Sequence, residues 1–118
     1  MAKMYQLDTC KTCQRIRSEV GDAPGLEVIN IKERAVTGPE LDRMAELAGS
    51  YEALFSRRAM KYRSMGLADK DLQEADYRRL ILEEYTLLKR PVTVVGDRIF
   101  VGSAKKTVAD TREALQTS

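Results

Sequence analysis

Residues 3–31 constrain the fold of this chain more than any other stretch. Residues 3–7 read as a strand, with Met4, Tyr5 and Leu7 suited to a pleated surface. The period then changes. Over residues 10–20, Cys13, Ile16 and Val20 recur on one helical face while Arg15, Arg17 and Glu19 point away. Gly21, Pro24 and Gly25 break that helix. Residues 26–31, Leu-Glu-Val-Ile-Asn-Ile, return to strand alternation with β-branched content. Strand, helix, strand over so short a stretch calls for a right-handed crossover, which makes the two strands parallel neighbours.

The middle of the chain is helical. Thr37-Gly38-Pro39-Glu40 starts a helix, since a proline in the first turn loses no hydrogen bond. Leu41, Met44, Ala45 and Ala48 form its buried stripe and Gly49 ends it. A short helical stretch at 50–55 leads into the basic segment Ser56-Arg57-Arg58-Ala59-Met60-Lys61-Tyr62. Asp69 or Asp71 would cap a further helix at 72–84, with Tyr77, Leu80, Ile81 and Tyr85 as its apolar face. Residues 92–95 and 98–101 are two β-rich runs joined by Gly96-Asp97, a hairpin signal. A last helix at 104–115 turns Ala104, Val108, Thr111 and Leu115 inward. The order βαβ, helices, ββα predicts an α/β (α+β) protein with a thioredoxin-like fold. We expect a four-stranded mixed sheet in a single domain over residues 1–118, with a helical insert at about 39–86.

Composition narrows the chemistry. At 118 residues the chain suits one core. Twenty Lys and Arg against eighteen Asp and Glu leave a net charge of +2, too balanced to argue for nucleic-acid or membrane binding. No apolar run approaches the roughly 20 residues of a membrane span. The N-terminus runs directly into strand-like sequence, so no signal peptide is expected and the default reading is cytoplasmic. There is no His, which removes the commonest general base and metal ligand.

The two Cys stand together as Cys10-Lys11-Thr12-Cys13 at a strand-to-helix junction. Unpaired N–H groups and the positive end of a helix dipole stabilise an anion there, so the thiol of Cys10 should ionise more readily than a free cysteine. Lys11 adds positive charge. Cys13, one turn into the helix, should be more buried, less nucleophilic and placed to resolve a mixed disulfide on Cys10. The competing readings are a structural disulfide over a very short loop, or two inert core cysteines. Pro91 opens the third strand. A cis Arg90–Pro91 bond would present backbone near Cys10, and a trans proline at a strand start is the other reading. Arg57, Arg58 and Arg90 offer guanidinium forks for an oxyanion, against the alternative of a solvated basic face for Arg57 and Arg58.

Three blocks resemble the arsenate reductase/Spx family. They are Tyr5-Gln6-Leu7-Asp8-Thr9-Cys10-Lys11-Thr12-Cys13-Gln14-Arg15, then Leu54-Phe55-Ser56-Arg57-Arg58-Ala59-Met60-Lys61-Tyr62-Arg63-Ser64-Met65-Gly66-Leu67, and Leu88-Lys89-Arg90-Pro91-Val92 followed by Val101-Gly102. Their order and spacing match the family across nearly the whole chain. The resemblance implies that Cys10 is the nucleophile, that Arg58, or else Arg57, holds an oxyanion, and that Arg90 precedes a cis-proline. In the family's glutaredoxin-linked reductases the cysteine attacks arsenate, glutathione displaces arsenite, and glutaredoxin restores the thiol. Two features depart from those enzymes: they usually lack a second cysteine, and they place a further arginine where this chain has Gly102.

Two functions follow as expectations. One is a thiol-dependent oxidoreductase in which Cys10 attacks an oxyanion or a disulfide and Cys13 or an external thiol resolves it. It would hold no bound cofactor and draw electrons from glutathione/glutaredoxin or thioredoxin. The other is an Spx-type regulator in which the Cys pair is a redox switch on a surface that binds RNA polymerase. A thioredoxin-fold domain without activity is the third possibility.

Overall fold

The structure is a computed structural model that describes residues 2–21, 23 and 25–117. Pro24, one of the expected helix breakers, lies outside them. In chain order the elements are β1 (Ala2–Gln6), α1 (Lys11–Val20), β2 (Leu26–Asn30), α2 (Gly38–Ala48), α3 (Met60–Ser64), α4 (Glu74–Glu83), β3 (Val92–Val95), β4 (Arg98–Val101) and α5 (Lys105–Thr117). Single 3-10 turns fall at Glu52–Leu54, Leu67–Asp69 and Tyr85–Leu87. The chain forms two compact units, Met1–Arg34 with Arg90–Ser118, and Ala35–Lys89.

The first unit holds the sheet, in the order β2-β1-β3-β4. β1 runs parallel to β2 and antiparallel to β3, and β3 and β4 form an antiparallel hairpin. The sheet is therefore mixed, as the sequence pattern predicts. Period-two alternation puts Ala2 and Met4 on one face of β1. There they join Ile16 and Val20 of α1, Val95 of β3, and Val108, Ala114 and Leu115 of α5 in one core. α1 and α5 thus cover the same face. Each of the larger side chains, Met4, Ile16, Val20, Val95, Val108 and Leu115, stabilises the unit by about 1.5–3 kcal/mol relative to an exposed one.

Several expected boundaries move. β1 stops at Gln6, and Leu7 begins a turn closed by a 3.0 Å hydrogen bond from the Cys10 N–H to the Leu7 carbonyl. Gln6, in phase with Met4, is fully buried, while Leu7 is half-buried. Cys10 stands at the N-cap of α1 rather than inside it. β2 ends one residue early, at Asn30. α5 starts at Lys105 and leaves Ala104, before its first turn, exposed; Ala114 is buried instead, because it lies three residues after Thr111 on the face set by Val108, Thr111 and Leu115.

The second unit is helical. The N-terminus of α2 is capped as its sequence suggests. The Thr37 side chain accepts from the Glu40 N–H at 3.3 Å, and Glu40 Oε1 accepts from the Thr37 N–H at 3.0 Å. Such a reciprocal cap stabilises a helix by about 1 kcal/mol. Leu41, Met44 and Ala45 are buried, but Ala48, in the last turn, is only half-buried. α4 begins at Glu74, and neither Asp69 nor Asp71 caps it. Gln73 is the cap residue, its N–H donating to the Asp76 carboxylate at 2.9 Å. Glutamine is not a favoured cap, so the start signal in the sequence is weak. Tyr85 falls in the 3-10 turn after α4 and is half-buried, leaving Tyr77, Leu80 and Ile81 as the buried face. Phe55 is fully buried against the rings of Tyr62 and Tyr77, at centroid distances of 5.9 and 4.9 Å.

Candidate active site

The Leu7–Cys10 turn delivers Cys10 to the N-terminus of α1 in extended geometry, φ −82 and ψ 117. No acidic residue occupies the first turn of the helix to offset its positive end. The thiol closes no formal capping bond, yet its surroundings favour the thiolate. Burial pushes the Cys10 thiol up. The N–H of Cys13, the Cys13 thiol, the Arg90 guanidinium and the N–H of Thr12 together outweigh it, and the group falls below the usual cysteine value.

Cys13 behaves in the opposite way. It is fully buried on the inner face of α1. Burial drives its thiol up to about 11, against the Leu7 N–H, which lowers it; the hydrogen bond to Cys10 and the charge there raise it further. The two thiols are reduced and unbridged. They titrate as a pair in which Cys13 keeps the proton and donates it toward the Cys10 sulfur. The environments of two neighbouring cysteines are thus pushed apart, which separates a nucleophile from a proton-holding partner.

Arg90 and Pro91 complete the site within this unit. The Arg90–Pro91 peptide is cis. Pro91 is buried and Arg90 half-buried, with its charge acting on both cysteines. Gly102 donates its N–H to the Pro91 carbonyl at 3.0 Å from a φ of +93, a conformation that an arginine would adopt only under strain. Lys11 is exposed at the first helical position and Arg15 is exposed beyond it.

Arg57 and Arg58 belong to the other unit. Arg57 is engaged there: Nη2 donates to Glu52 Oε2 at 2.8 Å and to the Tyr77 hydroxyl at 2.9 Å, and the guanidinium lies 5.9 and 5.8 Å from the ring centroids of Phe55 and Tyr77. It braces the aromatic cluster. Arg58 is exposed and makes no ion pair among the described residues.

Sequence reasoning missed a set of polar residues behind the Cys10 turn. Asp8, Gln6, Gln14, Arg17 and Asn30 are joined there by side-chain hydrogen bonds and one ion pair. The signal was faint: a glutamine in phase with the buried residues of a strand.

Comparison with known proteins matches this arrangement to a family. The ArsC family model matches residues 5–111, and the chain belongs to the ArsC family. The chain is 29% identical over 103 residues to the uncharacterized protein YusI of Bacillus subtilis (strain 168), covering 83% of this chain and 86% of that one. The solution structure of the Staphylococcus aureus COL protein SACOL0876 superposes with a TM-score of 0.74 at 29% identity, over 94% of this chain and 98% of the other. An arsenate reductase from Vibrio cholerae gives a TM-score of 0.78 at 20% identity, over 93% and 96% of the two chains, a likeness of fold. No helix among the described residues is long and apolar enough to cross a membrane.

Proposed function

We propose that this chain is a thiol-dependent oxidoreductase, with Cys10 as the attacking thiolate and Cys13 as its resolving partner. The observation that carries the reading is the placement of the two thiols: Cys10 stands at the N-cap of α1, where its surroundings hold the thiol low, and Cys13 is fully buried on the inner face of the helix, where burial pushes it up to about 11. A thiolate so placed needs no general base, which suits a chain without histidine.

With a disulfide substrate, the Cys10 thiolate attacks one sulfur, forms a mixed disulfide and releases the other sulfur as a thiolate. Cys13, losing its proton, then attacks Cys10 and releases the second. The substrate gains two electrons and the Cys pair is oxidised to a disulfide. With an oxyanion such as arsenate, Cys10 displaces a hydroxyl group and a second thiol completes the two-electron reduction to arsenite, leaving a disulfide and water. Arg90 would balance the negative charge that gathers at the site. Family resemblance gives Arg58 the second oxyanion role. Glutathione with glutaredoxin, or thioredoxin, would return the electrons in the cytoplasm.

Cys13 also supports a second reading, since a pair that closes a disulfide at a helix start is a switch as well as a resolving device. In that reading the chain is an Spx-type regulator whose partner is RNA polymerase. Arsenate-driven NADPH oxidation by the purified protein, coupled in parallel to the glutaredoxin and thioredoxin systems, decides between them. Turnover lost in Cys10→Ser supports the reductase and names its donor. Reactive thiols with no turnover in either system favour the switch.

A further inference from the structure

The turn that presents Cys10 is held by side chains the proposed chemistry does not use. Asp8 sits at its exposed tip. The carboxylate folds back, Oδ1 accepting from Gln6 Nε2 at 2.7 Å and Oδ2 from Asn30 Nδ2 at 3.2 Å. The parallel register sets Gln6 beside Asn30, so one carboxylate spans both strand ends. Gln14 Nε2 donates to the Asp8 carbonyl at 2.7 Å, tying the first turn of α1 to the same point. Gln6 is fully buried, and its Oε1 has no hydrogen-bond partner among the described residues. A buried acceptor without a partner is costly, and a leucine in its place would avoid that cost. The bond this amide does make is the one to Asp8.

A carboxylate two residues before a nucleophilic thiol carries the wrong charge for that thiol, because it opposes the thiolate. Arg17 answers it from α1, with Nη1 3.5 Å from Asp8 Oδ1. We propose that Asp8 is the positioning residue of Cys10, fixing the turn that presents the thiol, and that Arg17 is the counter-charge that lets a carboxylate stand there. The inference rests on Cys10 being the reactive thiol. The other charged or titratable groups near Cys10 in this unit are Arg90 and the Cys13 thiol, both favouring the thiolate, and the exposed Lys11. Lys32 flanks the network after β2, its backbone N–H 3.3 Å from Asn30 Oδ1. Among the described residues Arg17 is the cation paired with Asp8.

Three substitutions separate anchor from charge. Asp8→Asn removes the charge and keeps an anchor, because a turned Gln6 amide offers its Oε1 to the new Nδ2 while the new Oδ1 still accepts. Arg17→Gln keeps the anchor and removes the counter-charge. Asp8→Ala removes the anchor.

The test is the pH profile of iodoacetamide modification of Cys10 at low and high salt, read in the full chain by mass spectrometry. Trypsin cuts at Lys11 and leaves Cys10 and Cys13 in separate peptides. Arg17→Gln should raise the Cys10 midpoint by about half a unit, roughly threefold less thiolate below it, at low salt. High salt should shrink that shift, and adding Asp8→Asn should reverse it. Asp8→Ala should raise the midpoint although it deletes a negative charge, while Asp8→Asn should not. An unmoved midpoint in Arg17→Gln, or a lowered one in Asp8→Ala, would overturn the inference while leaving Cys10 as the reactive thiol. A native midpoint at the ordinary cysteine value would instead remove the reading beneath it. Arg17 is exposed on α1, so its variant carries the test even where Asp8→Ala does not fold.

Discussion

Asp42 and Asp8 are both half-exposed carboxylates that gather donors from distant points of the chain, one in each unit. Asp42 joins α2 to α4 and to the turn after α2. Arg78 Nε and Nη2 reach its two oxygens at 2.7 and 3.3 Å, and the Tyr51 hydroxyl donates at 2.5 Å. The hydrogen bonds from Arg78, then from Tyr51, hold its carboxyl below the usual range. The fork answers the charge in full. Gly38 leaves room for it, since a Cβ there would stand 2.9 Å from Arg78 Nη2. Asp8 is held instead by two neutral amides and a single longer contact to Arg17. The first carboxylate closes a scaffold. The second leaves a local charge balance adjustable beside a thiol, where a small change in balance changes the thiolate population.

The largest effect that separates the two regions is on turnover. Cys10→Ser should reduce any thiol-dependent NADPH oxidation to background, while Arg78→Gln should leave the rate per folded molecule unchanged. Equal losses in both would erase the distinction. Cys13→Ser should keep the first attack and stop the second, so a mixed disulfide on Cys10 should persist and be visible as an added mass after reaction with a disulfide. The scaffold side is sharpened by Phe55→Ala, which should cost about 3–5 kcal/mol in urea unfolding, because the ring is fully buried between Tyr62 and Tyr77. The smallest effect is electrostatic. Arg90→Gln should raise the Cys10 midpoint by about half a unit at low salt, and the same change at Arg78 should leave it in place. A matching shift from Arg78 would show that the thiol responds to bulk charge rather than to its own site.

Residue patterns carried the fold far. Alternation at 26–31, the β-rich runs at 92–95 and 98–101 joined by Gly96-Asp97, and the helical stripe through Cys13, Ile16 and Val20 place the sheet and α1, because burial on one face writes a period into a helix and a tight turn marks a hairpin. Element ends were less legible. The Gln73–Asp76 cap of α4 uses a residue type with little capping preference, and Ala48 and Ala104 are small enough to sit on either side of a surface. At the site, Cys10 and Cys13 announce themselves by type and spacing. Asp8 does not, because a turn aspartate looks the same whether it faces water or collects four donors. Its role depends on the register that brings Gln6 beside Asn30, and register is a property of the folded sheet.

The two cysteines, three positions apart, hold their protons very differently. Cys10 and Cys13 should be alkylated across a pH series in the native chain and quantified on their separate tryptic peptides. Cys10 should show a midpoint below the ordinary thiol range, with Cys13 protected until the pH approaches about 11. A common midpoint, or Cys13 reacting before Cys10, would contradict it.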